Sequence, residues 1–176
     1  LRQRMDDIGS SLRRNILDVN VEMFHTYNME PTPISEEFVP VDLDVTPLDN
    51  SKTYKEGVLY NYKGYFGYAP MMAYIGAEGF LVNTELREKS QRCQYNTPAF
   101  LSETLNYSHQ LTEKQLFVRM DSGNNAAENL GILIEDGSRF IVKNNLRRGE
   151  SKQEWLDKVK ECCKDICHPR DGKTIY

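Results

Sequence analysis

From Leu116 to Lys143 the chain passes through an apolar strand, a Ser-Gly-Asn-Asn turn, a helical period and a second apolar strand. So short a strand, helix, strand passage closes as a right-handed crossover, which makes its two strands parallel. No other stretch constrains the fold as tightly, because parallel strands are buried on both faces and need helices to cover them. The first of the two strands, Leu116 to Met120, runs straight into Asp121 in L-F-V-R-M-D-S-G. The helix carries Ala126, Leu130, Leu133 and Ile134 up to Gly137, a residue suited to follow a helix C-terminus. Phe140 to Lys143 forms the second strand.

Upstream, Phe38 to Thr46 alternates: Val39, Val41, Leu43 and Val45 point one way, Asp42 and Asp44 the other. Tyr68 to Ile75 and Phe80 to Leu86 are apolar and aromatic runs joined by Gly76-Ala77-Glu78-Gly79, the composition of a hairpin loop. Residues 47 to 67 hold turn formers and tyrosines and read as an irregular excursion or a loose hairpin arm. Thr97-Pro98 predicts an N-cap with proline at the first helical position, and Phe100, Leu101, Leu105 and Leu111 give the following helix its apolar side. At the N-terminus, Met5, Ile8, Leu12, Ile16, Val19 and Met23 step at helical spacing, either as one amphipathic helix or as a pair broken at Gly9-Ser10 with Ser10 as cap. Pro31 to Ser35 is a connector. Ser151 to Glu154 opens a last helix with capping-box spacing.

Composition sets outer bounds. With 176 residues, 39% hydrophobic and 27% charged, the chain is long enough for one domain with a true core. No run approaches the ~18 apolar residues of a membrane helix, and Leu1 to Arg4 leads into no signal-peptide core, so the expectation is a cytoplasmic protein with no membrane partner. The start at Leu1 and the strand-like Gly172 to Tyr176 read as a piece of a longer protein. A net charge of −4 weighs against a surface made mainly for nucleic acid, although carboxylates clustered for a metal push the same way. Cys93 stands alone, while Cys162, Cys163, Cys167 and His168 crowd into C-C-K-D-I-C-H without the second ligand pair of structural zinc. Cys162 shares a helical face with Trp155, Val159 and Ile166 and reads as a small buried hydrophobe.

Three strands in hairpin succession, followed by helix, strand, helix and strand, is the element order of a ribonuclease H-like α/β fold. The sheet is expected to be mixed and five-stranded, three antiparallel strands then two parallel ones, flanked by helices. In that fold the first strand lies beside the fourth and parallel to it. Asp44 and Asp121 then meet at the carboxyl ends of neighbouring strands, where open α/β sheets place their ligands. Two carboxylates held by two strands suit a hard cation such as Mg²⁺ or Mn²⁺, which takes oxygen ligands. Alternation puts Asp42 on the same face as Asp44, and the pattern does not separate them; Asp44 is favoured because it is nearer the strand's end.

The words D-L-D-V-T-P-L-D-N-S-K-T, Y-K-G-Y-F-G-Y-A-P, V-R-M-D-S-G-N-N-A-A-E-N-L and F-I-V-K-N-N-L-R-R, spread from Phe38 to Arg148, resemble the catalytic domain of bacterial insertion-sequence DDE transposases of the group 1 type. The resemblance implies a metal-dependent nuclease and strand transferase that cuts transposon ends and joins them to target DNA, acting as a homodimer in a synaptic complex. It places the first two catalytic, metal-binding acids on Asp44 and Asp121, and a two-metal site of Mg²⁺ or Mn²⁺ between them in the complete enzyme. The family's third acid, a glutamate on a helix after the fifth strand, has no match. Glu128 precedes that strand and reads as a carboxylate favoured by a helix N-terminus, and Glu150 and Glu154 fit caps.

Arg139, Lys143, Arg147 and Arg148 form a basic run that is either a solvated edge or a contact for DNA phosphate, with Lys143, Arg147 and Arg148 the DNA-binding candidates. The tyrosines from Tyr54 to Tyr74 read as core or cross-strand packing before base stacking. The expected organisation is a helical lead-in over 1–30, a catalytic core over 36–148, and a helix opening an insertion over 149–176. Two other readings stay open: a different ribonuclease H-like nuclease, and a truncated, inactive copy that binds DNA or self-associates.

Overall fold

The computed structural model describes residues 2–60, 63–87, 96–144, 146 and 149–175, with backbone alone over 2–10. It divides into two compact units, Leu1–Lys143 and Asn144–Tyr176. In the first unit, helix α1 (Arg2–Thr26) precedes strand β1 (Phe38–Val45) and a small excursion of β2 (Leu48–Asp49), β3 (Leu59–Tyr60) and β4 (Phe66–Tyr68). Strands β5 (Met71–Ile75) and β6 (Phe80–Glu85) follow, then α2 (Thr97–His109), β7 (Gln115–Met120), α3 (Ala127–Asp136) and β8 (Arg139–Val142). The second unit holds α4 (Lys152–Cys162) and the pair β9 (Cys167–Arg170) and β10 (Lys173–Ile175).

The main sheet has the order β6-β5-β1-β7-β8. Strand β5 runs antiparallel to both β1 and β6, whereas β1, β7 and β8 are mutually parallel. This is the ribonuclease H-like arrangement, a mixed five-stranded sheet with its first strand in the centre. Val39, Val41 and Leu43 of β1, Met71, Ala73 and Ile75 of β5, and Leu116, Val118 and Met120 of β7 form the sheet's share of the core. Phe100, Leu101 and Leu105 of α2 and Leu133 of α3 bury against it. Each large aliphatic or aromatic side chain so buried is worth about 1.5–3 kcal/mol relative to exposure.

Helix α1 is continuous through Gly9-Ser10, so the broken pair does not occur. Its buried residues are Leu17, Val21 and Phe24, while Ile16 and Val19 are 56% and 61% exposed and Met23 is also exposed. The helix is therefore rotated away from the face its apolar spacing predicts. The reason is polar. Arg13 and Asn20 share the Leu17, Val21, Phe24 face, and they donate to the carbonyls of Thr84 and Leu81 on β6. Arg13 also reaches Asn83 Oδ1 at 2.7 Å and pairs with Glu103 of α2. Phe24 closes the contact edge-on to Phe80, with ring centroids 5.1 Å apart.

Other departures have equally local causes. Asn96, in the left-handed region at φ 54°, caps α2 without a side-chain bond, and the Thr97 hydroxyl instead accepts from Arg87 Nη1 at 3.2 Å. Within the stretch read as an irregular excursion or a loose hairpin arm, Leu48–Asp49, Leu59–Tyr60 and Phe66–Tyr68 pair as a small sheet of order β2-β4-β3, closer to the hairpin arm. Gly67 makes that pairing possible, since a Cβ there would lie 1.8 Å from the Leu48 carbonyl oxygen. In the second unit, Ser151 caps α4 by accepting from the amides of Gln153 and Glu154. No residue of α4 is buried, so Cys162, Trp155 and Val159 are exposed and Cys162 is not the core hydrophobe its spacing suggests. A unit of some thirty residues has too little chain to cover a helix face. Cys93 lies outside the described residues. Among the described residues no helix is long and apolar enough to cross a membrane.

Candidate metal centre

The last paired residues of the central parallel strands are Leu43 on β1 and Met120 on β7. One residue further on stand Asp44 and Asp121, side by side at the carboxyl edge of strands that lie about 4.8 Å apart in any sheet. Both are exposed. The strands deliver them there because the apolar alternation of Val39, Val41 and Leu43 must face the core, which sends the next residue outward.

Each carboxylate has one oxygen engaged. Asp44 Oδ1 accepts from the amide of Val45 at 2.8 Å. Asp121 Oδ1 accepts from the amide of Gly123 at 3.0 Å and from Asn124 Nδ2 at 2.9 Å, capping a single 3-10 turn over Ser122–Asn124. The remaining oxygens, Oδ2 of both residues, have no such bond among the described residues and keep their lone pairs for a cation. These are the oxygen donors Mg²⁺ prefers, one or two carboxylates with the balance of its octahedron left to water and phosphate. No group of three or more His, Cys, Asp or Glu residues that could hold a metal occurs among the described residues. Glu128 sits exposed in the first turn of α3, and Glu154 in the first turn of α4.

Asp42 behaves differently from Asp44. It is the register partner of Arg119 on β7, and Arg119 donates from both Nε and Nη2 to its two oxygens. Hydrogen bonding by Asp42 holds the Arg119 guanidinium above its ordinary range against a smaller opposing effect of burial. A bidentate guanidinium already occupies one acceptor site on each Asp42 oxygen and offsets its charge, which makes it a poorer partner for a second cation. Asp42 and Asp44, which alternation leaves equivalent, thus differ in their partners: Arg119 pairs with the first and not with the second, a difference the sequence pattern does not reveal.

Two asparagines join the site that the sequence reading does not single out. Asn124 and Asn129 are each 1% exposed. Asn129 Nδ2 donates to the Asn124 carbonyl at 2.9 Å, so α3 grips the turn that in turn grips Asp121. The side-chain oxygens of both have no partner among the described residues. A signal was present in the sequence: Asn129 lies four residues before Leu133 on the helix face that must be buried, and a polar residue there needs a polar task.

The basic run is split by the sheet. Lys143 follows Val142, the partner of Met120, so Asp44, Asp121 and Lys143 occupy one row across the carboxyl ends of β1, β7 and β8. The Lys143 amide extends the ladder by donating to the Met120 carbonyl at 3.1 Å. Arg139 pairs with Phe117 at the start of β8 and stands at the other end of the strand. Arg147 and Arg148 lie outside the described residues.

No family model and no curated protein matches the chain. Among solved structures it is similar to a piggyBac transposase, seen by cryo-electron microscopy as a synaptic complex with hairpin DNA, at 12% identity and a TM-score of 0.45. The likeness covers 97% of this chain and 39% of that one. At that distance it carries no weight for function, and the ribonuclease H-like assignment stands on the sheet order.

Proposed function

We propose that this chain is the catalytic domain of a DDE-type DNA transposase, a metal-dependent nuclease and strand transferase acting on transposon ends and target DNA. One observation supports this reading above the rest: Asp44 and Asp121 continue two hydrogen-bonded parallel strands at the same level, each with one carboxylate oxygen fixed and one uncommitted. The sequence words around them supply the reaction class. Divalent Mg²⁺ or Mn²⁺ bound there would activate the attacking oxygen and offset charge on the leaving one during in-line displacement. Asp44 and Asp121 hold the charge that attracts it, the Gly123 amide and Asn124 orient Asp121, and Lys143 in the same row places a cation where a phosphodiester must enter. The third acid of such a site belongs to no residue described in this chain, so the two acids alone are expected to bind metal weakly.

Isothermal titration with Mn²⁺ tests the assignment. Asp44→Asn and Asp121→Asn are each expected to abolish binding, whereas Asp42→Asn retains it. Equal affinity in all three variants would remove the site. Metal-dependent nicking of a DNA duplex by the protein, lost in the same two variants, then tests the chemistry, and an RNA–DNA hybrid cut in preference to the duplex would redirect the assignment to a different nuclease.

A further inference from the structure

The small sheet β2-β4-β3 is a continuation of the hairpin that carries Asp44. Pairing runs without interruption from Asp44 with Met72 and Val45 with Met71, through the Thr46 amide bonded to the Pro70 carbonyl, to Leu48 with Tyr68 and Asp49 with Gly67. At about 3.4 Å per residue this arm extends roughly 17 Å past Asp44, along the direction in which the acids open to solvent. Its tyrosines pack across strands as their spacing suggests, Tyr60 against Phe66, with Tyr65 and Tyr68 half-buried and donating to the carbonyls of Pro47 and Glu56, but several rings remain open to solvent. Tyr54 is fully exposed, Tyr60 and Phe66 are 64% and 50% exposed, and the last two meet edge-on with centroids 5.3 Å apart. Tyr54, Val58 and Phe66 line a concavity of about 630 Å³ together with Lys55 and Glu56. Lys52 and Lys63 are exposed on the same arm, which bears three lysines against the two acids Asp49 and Glu56 in a chain whose net charge is −4.

Tyr60 and Phe66 are register partners across β3 and β4, so their contact helps hold the small sheet, while the outer ring faces of this pair and the whole of Tyr54 stay open to solvent. Planar rings interleaved with cations are the surface on which unpaired bases stack while phosphates are held, in a manner indifferent to sequence. We propose that this arm is a binding surface for single-stranded nucleic acid, with Tyr54 and the Tyr60–Phe66 pair as stacking platforms and Lys52 and Lys55 as phosphate contacts. The distance to Asp44 spans about five nucleotides of one strand at 3.4 Å per step. Resting on the proposed cleavage function, the surface takes the frayed or displaced strand next to a break, while its binding itself needs no metal.

Fluorescence anisotropy of the full chain with a labelled 15-nucleotide oligothymidylate, in EDTA and low salt, is the test. Tyr54→Ala and Tyr60→Ala are each expected to weaken binding on the order of tenfold with unchanged thermal unfolding, and Tyr54→Phe to restore it. Lys52→Ala with Lys55→Ala should lower the slope of log K against log salt by about 1.4. Asp44→Asn should leave oligonucleotide affinity unchanged while losing Mn²⁺, which keeps the failure of one assignment distinct from the failure of the other. An unaltered affinity in the Tyr54→Ala, Tyr60→Ala double variant overturns the proposal. So does loss of self-association in that variant, by sedimentation, with oligonucleotide binding intact, because the arm would then be an interface with a second copy.

Discussion

At the scale of single residues, the proposed metal site turns on what each carboxylate already holds. Asp42 and Asp44 are two positions apart on one strand and are indistinguishable by pattern, yet Arg119 occupies the first and leaves the second open. Within the proposed metal site, Asn124 is a positioning residue. It supplies one of the two donors that fix Asp121 Oδ1, from a side chain that is itself buried. Removing a partner that orients a metal ligand typically costs 10–100-fold in metal affinity. Asn124→Ala is accordingly expected to weaken Mn²⁺ binding by about that factor while Asp44 and Asp121 remain in place, measured by the same titration. Retained affinity in a variant that still unfolds cooperatively would show that the Gly123 amide suffices. The strand-end positions of Asp44 and Asp121 were legible in the sequence because strand ends are. The pairing of Asp42 was not, because its partner Arg119 comes from 77 residues away in the chain.

At the scale of elements, the strands were readable and the helix orientations only partly so. A β-strand fixes its faces through a period of two, so Val39, Val41 and Leu43 could only be core once Phe38 to Thr46 was a strand. Helix α1 offered two apolar stripes, and the polar anchors Arg13 and Asn20 chose between them. A third anchor lies on the same helix: Tyr107 of α2, nearly buried, donates its hydroxyl to Asp18 Oδ1 at 2.7 Å. Burial first, then the bond to Asp18 and its negative charge, push the phenol from its ordinary value near 10 up to about 12. The folded state thus keeps a proton that the unfolded chain releases earlier. The stabilisation is fully present below pH 10 and is lost as pH rises from there toward 12. Denaturant unfolding across that window should show stability falling with pH, and Tyr107→Phe should flatten the fall. A slope identical in both proteins would assign the alkaline loss to other groups.

At the scale of the whole molecule, stability and chemistry are concentrated in one of the two units. Among the described residues, the buried hydrophobic core runs from Leu17 to Leu133, inside the unit that ends at Lys143. Residues 144–176 contribute a helix with no buried residue and one two-stranded pair, elements that are marginal when isolated in water. Composition could not reveal this division, because the apolar spacing of Trp155, Val159 and Cys162 looks the same whether or not anything covers it. A chain ending at Lys143 should therefore melt cooperatively by circular dichroism within about 4 °C of the full chain, the shift that ~1 kcal/mol produces in a domain of this size. It should also bind Mn²⁺ with unchanged affinity, since Asp44, Asp121 and Asn124 all stay within it. A drop of tens of degrees, or a broad transition, would mean that the last thirty-three residues complete the core despite their exposure. Loss of metal binding with melting preserved would instead mean that a residue beyond Lys143 completes the centre, and the search for the third acid would move there.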